Sequence, residues 1–165
     1  MAVRPILRWP DPRLSAAAAR VAEVDSAARA IWADMIDTME AMPGVGLAAP
    51  QIGVMSRLAV VDASDRRGQA IRMANPVIVH AATELRRHEE ASPCLPGVSA
   101  PVERPRAVTV RYLDADGAPA ERVFTGLWAT SVQHQIDHLD GRMYFDRLSR
   151  LKRDMLLRKA RKNAG

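Results

Sequence analysis

The sequence predicts an α+β fold with antiparallel sheet. Two alternating runs flank a tight turn at Asp114-Ala115-Asp116-Gly117, which marks a hairpin. Apolar residues recur at helical spacing in three separate stretches. No regular alternation of strand and helix of the βαβ kind runs along the chain. The 165 residues suit one compact domain, 1–165.

Taken in order, the first twenty-odd residues hold Pro5, Pro10 and Pro12 and read as an extended arm with turns. Asp25-Ser26 offers an N-cap, and Ala28, Ile31, Trp32, Met35 and Met39 then place a helix over about 27–41, ended by Pro43 and Gly44. A Gly- and Ala-rich loop covers 44–53. Strands are expected at 57–62, 70–73 and 76–80, the first two joined by a turn at 64–68. The charged stretch 84–90 has no regular pattern, and Pro93, Pro96, Pro101 and Pro105 make 92–105 extended or irregular. Strands at 107–113 and 121–125 form the hairpin. A helix over 127–139 stops at Asp140-Gly141, and a last helix runs over about 149–162.

Composition narrows the function classes. Hydrophobic residues make up 48% and charged residues 26%, the balance of a globular protein. No run approaches the roughly 20 apolar residues that span a membrane, and Met1–Pro10 lacks the apolar core of a signal peptide. A cytoplasmic protein with no membrane partner is expected. One cysteine excludes an internal disulfide and leaves that thiol as a core residue, a nucleophile or a metal ligand. The net charge of +5 is uneven: residues 147–162 hold eight Lys or Arg against Asp154 alone. An argument about anionic partners is therefore confined to that tail. Leu148, Leu151 and Met155 form an apolar stripe there, as expected for a helix docked on the domain.

The sharpest local signal is His134-Gln135-Ile136-Asp137-His138. Residues four apart lie one above the other on a helix, so the two imidazoles either reach one ion or are unrelated surface histidines. Catalytic zinc and iron(II) sites commonly take three protein ligands. Cys94, in its irregular stretch, is the candidate third ligand or an inert buried thiol.

Three segments in order resemble the peptide deformylase family. Gly44-Val45-Gly46-Leu47-Ala48-Ala49-Pro50-Gln51 matches the motif G-x-G-L-A-A-x-Q at every fixed place. Gln133-His134-Gln135-Ile136-Asp137-His138-Leu139-Asp140-Gly141 resembles Q-H-E-x-D-H-L-x-G, and Cys94-Leu95 falls where E-G-C-L-S is expected. The arm 9–14 and the tail start 145–149 are also family-like. The resemblance implies a deformylase-like fold around a central metal-binding helix, with a divalent ion held by Cys94, His134 and His138. That ion is Fe(II) or Zn(II), with Ni or Co tolerated. It implies that Gln51 and the backbone N–H of Leu95 polarise a formyl oxygen and that Gly46 contacts substrate. The implied reaction is hydrolysis of the formyl group from the N-formylmethionine of new peptides during protein biosynthesis. It also implies ribosome docking through the basic C-terminal helix.

Gln135 breaks the pattern, because the family holds its catalytic glutamate there. A carboxamide hydrogen-bonds water but cannot take its proton. Loss of such acid–base help costs about 10²–10⁴ in rate. With Cys94 as anchor, Ser92-Pro93-Cys94-Leu95-Pro96 also departs from E-G-C-L-S, and the loop from Cys94 to Pro105-Arg106 reads as shortened. These extra changes favour natural divergence over a single engineered trap. Asp137 reads as a supporting residue, and Glu89 and Glu90 as solvated acids, with a substitute-base role as their alternative. The expected function is a metal-dependent deformylase homologue with weakened or lost hydrolysis. The alternatives are a non-catalytic formyl-peptide- or ribosome-binding homologue and a hydrolase of another amide or ester.

Overall fold

The computed structural model describes residues 2–164. Among the described residues there are three α-helices: α1, Ser26–Ala41; α2, Gly126–Leu139; and α3, Arg150–Ala164. The strands are β1, Gly46–Ala48; β2, Leu58–Val61; β3, Ile71–Ala81; β4, Leu85–Glu90; β5, Ala100–Pro105; β6, Ala107–Leu113; and β7, Pro119–Thr125. An antiparallel five-stranded sheet runs β1-β2-β3-β6-β7, and β4 pairs with β5 in a separate two-stranded sheet.

The large sheet lies between two helices, and its side-chain alternation sorts the core. Leu47, Leu58, Val60 and Ala74 pack with Trp32, Met35 and Met39 of α1. Val61, Met73, Val108, Val110 and Phe124 pack with Ala129, Val132 and Ile136 of α2. Successive strand residues point to opposite faces, so adjacent Val60 and Val61 serve different helices. Asp25 caps α1 by accepting the Ala28 N–H at 2.9 Å. From Ala129 to Leu139 every residue of α2 is buried, which makes it the central helix.

Three expectations change. Residues 71–81 form one strand, not two, because a bulge at Asn75 and Pro76 absorbs the proline; Asn75 takes φ 50° and its side chain exchanges two hydrogen bonds with Val21. Residues 85–90 and 100–105 are paired strands although the sequence reads as charged and irregular. Their inward positions are Arg86, His88, Glu90, Ala100, Val102 and Arg104, so polar residues hide the period of two. In α3 the docking face is Leu156 and Ala160, with Leu157 beside them; of the expected stripe Leu148 packs on the same cluster, whereas Leu151 and Met155 are 71% and 58% exposed.

The end of α2 is held by Gly141 at φ 78°, where a Cβ would stand 2.9 Å from the backbone of Ser15 and Ala16. Gly141→Ala is therefore expected to cost at least about 1–3 kcal/mol, from the disfavoured φ and the close arm together. Urea denaturation of the variant measures this.

Candidate functional site

A cavity of about 370 Å³ opens between the 42–46 loop, the end of β4 and one face of α2. Gly46, Gln51, Ser92, Pro93, His134 and Gln135 are among its walls. Gly46 lies so close to α2 that a Cβ would meet Gln135 Nε2 and Ser131 Oγ, each at 2.5 Å. The Ser131 hydroxyl donates to the Val45 carbonyl at 2.8 Å, which ties this loop to the helix. A side chain at this position would displace Ser131 and Gln135.

Behind the cavity runs a chain of alternating charges. Arg104 is buried and gives two hydrogen bonds to Glu90, at 2.6 and 2.9 Å, and one to Asp137 at 2.9 Å. Asp137 also takes two from Arg147, at 2.6 and 3.0 Å. At the cavity end, His134 Nδ1 lies 2.8 Å from Glu90 Oε1. Burial alone would raise the Glu90 carboxyl, but the hydrogen bonds from His134 and Arg104 outweigh it and hold the group at about 2. Glu90 is thus an anion that can only accept, so the proton of this contact sits on His134 Nδ1. In the neutral ring that leaves Nε2 with the lone pair.

His138 is 1% exposed, and neither ring nitrogen has a hydrogen-bond partner among the described residues. Burial first, then the charges of His134 and Arg104, keeps it well below the ordinary histidine range and hence neutral. The two rings stand 4.9 Å apart between centroids, and Tyr144 stacks on His134 at 5.9 Å. Two adjacent imidazoles, one with Nδ1 turned to Glu90 and one with both nitrogens unpartnered, can offer ring nitrogens to a borderline cation. The thiol does not complete the set. Cys94 Sγ receives the Gln51 side-chain amide at 3.6 Å and lies in an apolar cluster with Leu14, Met143 and Phe145. Burial pushes this thiol up, against opposing hydrogen bonds from Gln51 and Ser92. Among the described residues, no group of three or more His, Cys, Asp or Glu side chains is arranged to hold an ion. Of the expected ligands Cys94, His134 and His138, the two imidazoles therefore lie together and the thiol lies in the apolar cluster.

The other expected site residues separate similarly. Gln51 lines the cavity, its Oε1 accepting the Ala48 N–H at 2.9 Å. Gln135 lines it too, with Oε1 buried and unpartnered. Leu95 is packed in the apolar cluster, and its N–H is spent on the Ser92 carbonyl at 3.1 Å, so it is not offered to a formyl oxygen. Glu89 is exposed as expected and accepts from Ser99 at 2.7 Å. Glu90 is the reverse of a solvated acid, at 5% exposure. Arg104 went unnoticed in the sequence. The available signal for both was the alternation Arg86, His88, Glu90, which puts three polar groups on one strand face.

Comparison with known proteins follows the same lines. A family model described as polypeptide deformylase matches residues 3–154. A peptide deformylase of Methylocella silvestris is 44% identical, covering 99% of this chain and 86% of that protein. A peptide deformylase-like protein of Brucella melitensis is 43% identical, covering 98% of both. The crystal structure of a peptide deformylase from Legionella pneumophila superposes with a TM-score of 0.92 at 42% identity, covering 99% of this chain and 96% of that one.

The Glu90 carboxyl stands below its ordinary value of 4.5, so its stabilisation is full above that value and is lost as the pH falls toward about 2. Glu90→Gln is expected to cost about 3 kcal/mol at neutral pH and to flatten the stability profile across that acid window. Urea denaturation at a series of pH values tests both.

Proposed function

The chain belongs to the polypeptide deformylase family, and from that premise we propose that its cavity receives the N-terminal end of an N-formyl peptide and holds it with hydrolysis weakened or lost. The family is one of metal-dependent hydrolases. The observation that carries the reading is Gln135: a neutral carboxamide lines the cavity at the motif position of the catalytic glutamate. It can hold water or a formyl group through hydrogen bonds, but it cannot shuttle a proton. Its unpartnered Oε1 suits a guest N–H donor. Met42, Val45 and Leu127 give the cavity an apolar side for a methionine side chain. Gln51 and Gly46 remain candidate contacts for the formyl group and the peptide backbone. Among the described residues no helix is long and apolar enough to cross a membrane; a role on new peptides would place the protein in the cytoplasm.

Formyl-Met-Ala-Ser is expected to bind saturably by calorimetry and more tightly than the unformylated peptide. Formate release is expected to be slower than in an active relative assayed beside it, by about 10²–10⁴. Gln135→Glu restores a base but no oxyanion donor, because the Leu95 N–H is engaged, so recovery should be partial. Turnover equal to the active relative would refute the proposal, as would absence of peptide binding.

The C-terminal helix supports a second partner. Arg150, Lys152, Arg158, Lys159, Arg161 and Lys162 are all exposed on α3, alongside Leu151 and Met155. Such a face suits ribosomal RNA phosphates. Reversing Arg158, Lys159 and Lys162 to Glu is expected to weaken ribosome co-sedimentation and to make it less salt-sensitive. Charge reversal is a cleaner test than truncation after Ser149, which removes Leu156 and Ala160 from the core. Unchanged co-sedimentation would exclude this role for α3.

A further inference from the structure

We infer that Ser92, not Cys94, stands at the third-ligand corner of this cavity, leaving two imidazoles and a hydroxyl where a thiolate centre would need a sulfur. The inference rests on the family reading of the cavity and deepens it. The motif E-G-C-L-S has one glutamate, two residues before its cysteine. This chain has one buried carboxylate in the region, Glu90. Its position is set by the small sheet, where it pairs with Ala100, and it holds His134 at Nδ1 and Arg104 at two nitrogens. Orienting a ligand histidine from behind is the work of an outer-shell carboxylate. Matching Glu90 to the motif glutamate puts Ala91 on the glycine, Ser92 on the cysteine, Pro93 on the leucine and Cys94 on the serine.

The cavity agrees with that register. Its wall runs through Glu90, Ala91, Ser92 and Pro93, while Cys94 and Leu95 join the apolar cluster behind it. Ser92 is buried, and its hydroxyl accepts the Cys94 backbone N–H at 3.2 Å. The two-residue shift also returns two residues to the stretch before Pro105, which removes the apparent shortening of that loop. A neutral hydroxyl is a far weaker ligand for Fe(II) or Zn(II) than a thiolate. Pro93, in the place whose N–H would face a formyl oxygen, has none to give. Three substitutions, at positions 92, 93 and 135, then remove a ligand, an oxyanion donor and a base while the cavity and its supporting charges persist.

The test is metal titration with Zn(II) and Co(II), each variant first checked by circular dichroism and thermal melting. Wild type and Cys94→Ala should bind Zn(II) equally weakly. Ser92→Cys should bind at least about 100-fold more tightly, since even outer-shell partners are worth 10–100-fold. With Co(II), Ser92→Cys should show a thiolate charge-transfer band that wild type lacks. The double variant Ser92→Cys with Cys94→Ser moves one sulfur by two residues and should behave alike, which guards against misfolding of the single variant. A charge-transfer band in wild type that disappears in Cys94→Ala would overturn the assignment. So would well-folded Ser92→Cys proteins that gain no affinity. Peptide binding, followed separately by calorimetry, can fail without altering these metal results, so the two readings stand or fall apart.

Discussion

Burial of the Arg104 guanidinium is the constraint around which the site is arranged. A cation with so little exposure is tolerable only if its donors are met by anions, and Glu90 and Asp137 meet three of them. Those carboxylates come from β4 and from α2, and Arg104 itself from β5. One side chain therefore fastens the small sheet to the central helix, and Arg147 extends the fastening toward α3. The four charges sum to zero, and the pairing is bidentate at Glu90 and again between Arg147 and Asp137, a geometry a lysine could not reproduce.

The same network fixes chemistry as well as shape. Glu90 stays ionised despite burial and holds the Nδ1 side of the His134 ring. His138 stays neutral for the opposite reason, because burial removes the water a charged ring needs. The imidazole pair is thus held in place by the surrounding charges and by burial. That support explains how the cavity keeps its form while Gln135 stands where the family has an acid.

Much of this was legible in the sequence. The hairpin of β6 and β7, helix α1 with its Asp25 cap, and the buried α2 follow directly from period and turn chemistry. The glycine loop and the histidine pair located the cavity. What stayed hidden had a common cause, namely polar residues facing inward. The strand β4 shows no apolar alternation because Arg86, His88 and Glu90 are its inner face, and β5 is disguised by prolines at outward positions. Glu90 looks like a surface acid until its partner 14 residues later is seen. Reading α3 from leucine and methionine spacing alone picked the wet stripe, because its true seam includes the small Ala160.

The N-terminal arm carries one more implication. Leu7 donates its N–H to the Gln51 carbonyl and Trp9 donates to the Cys94 carbonyl, each at 2.8 Å. One short extended segment thereby ties Gln51 of the cavity wall to Cys94 in the apolar cluster behind it. The spacing of those two segments is thus fixed by the backbone of a third one that does not line the cavity.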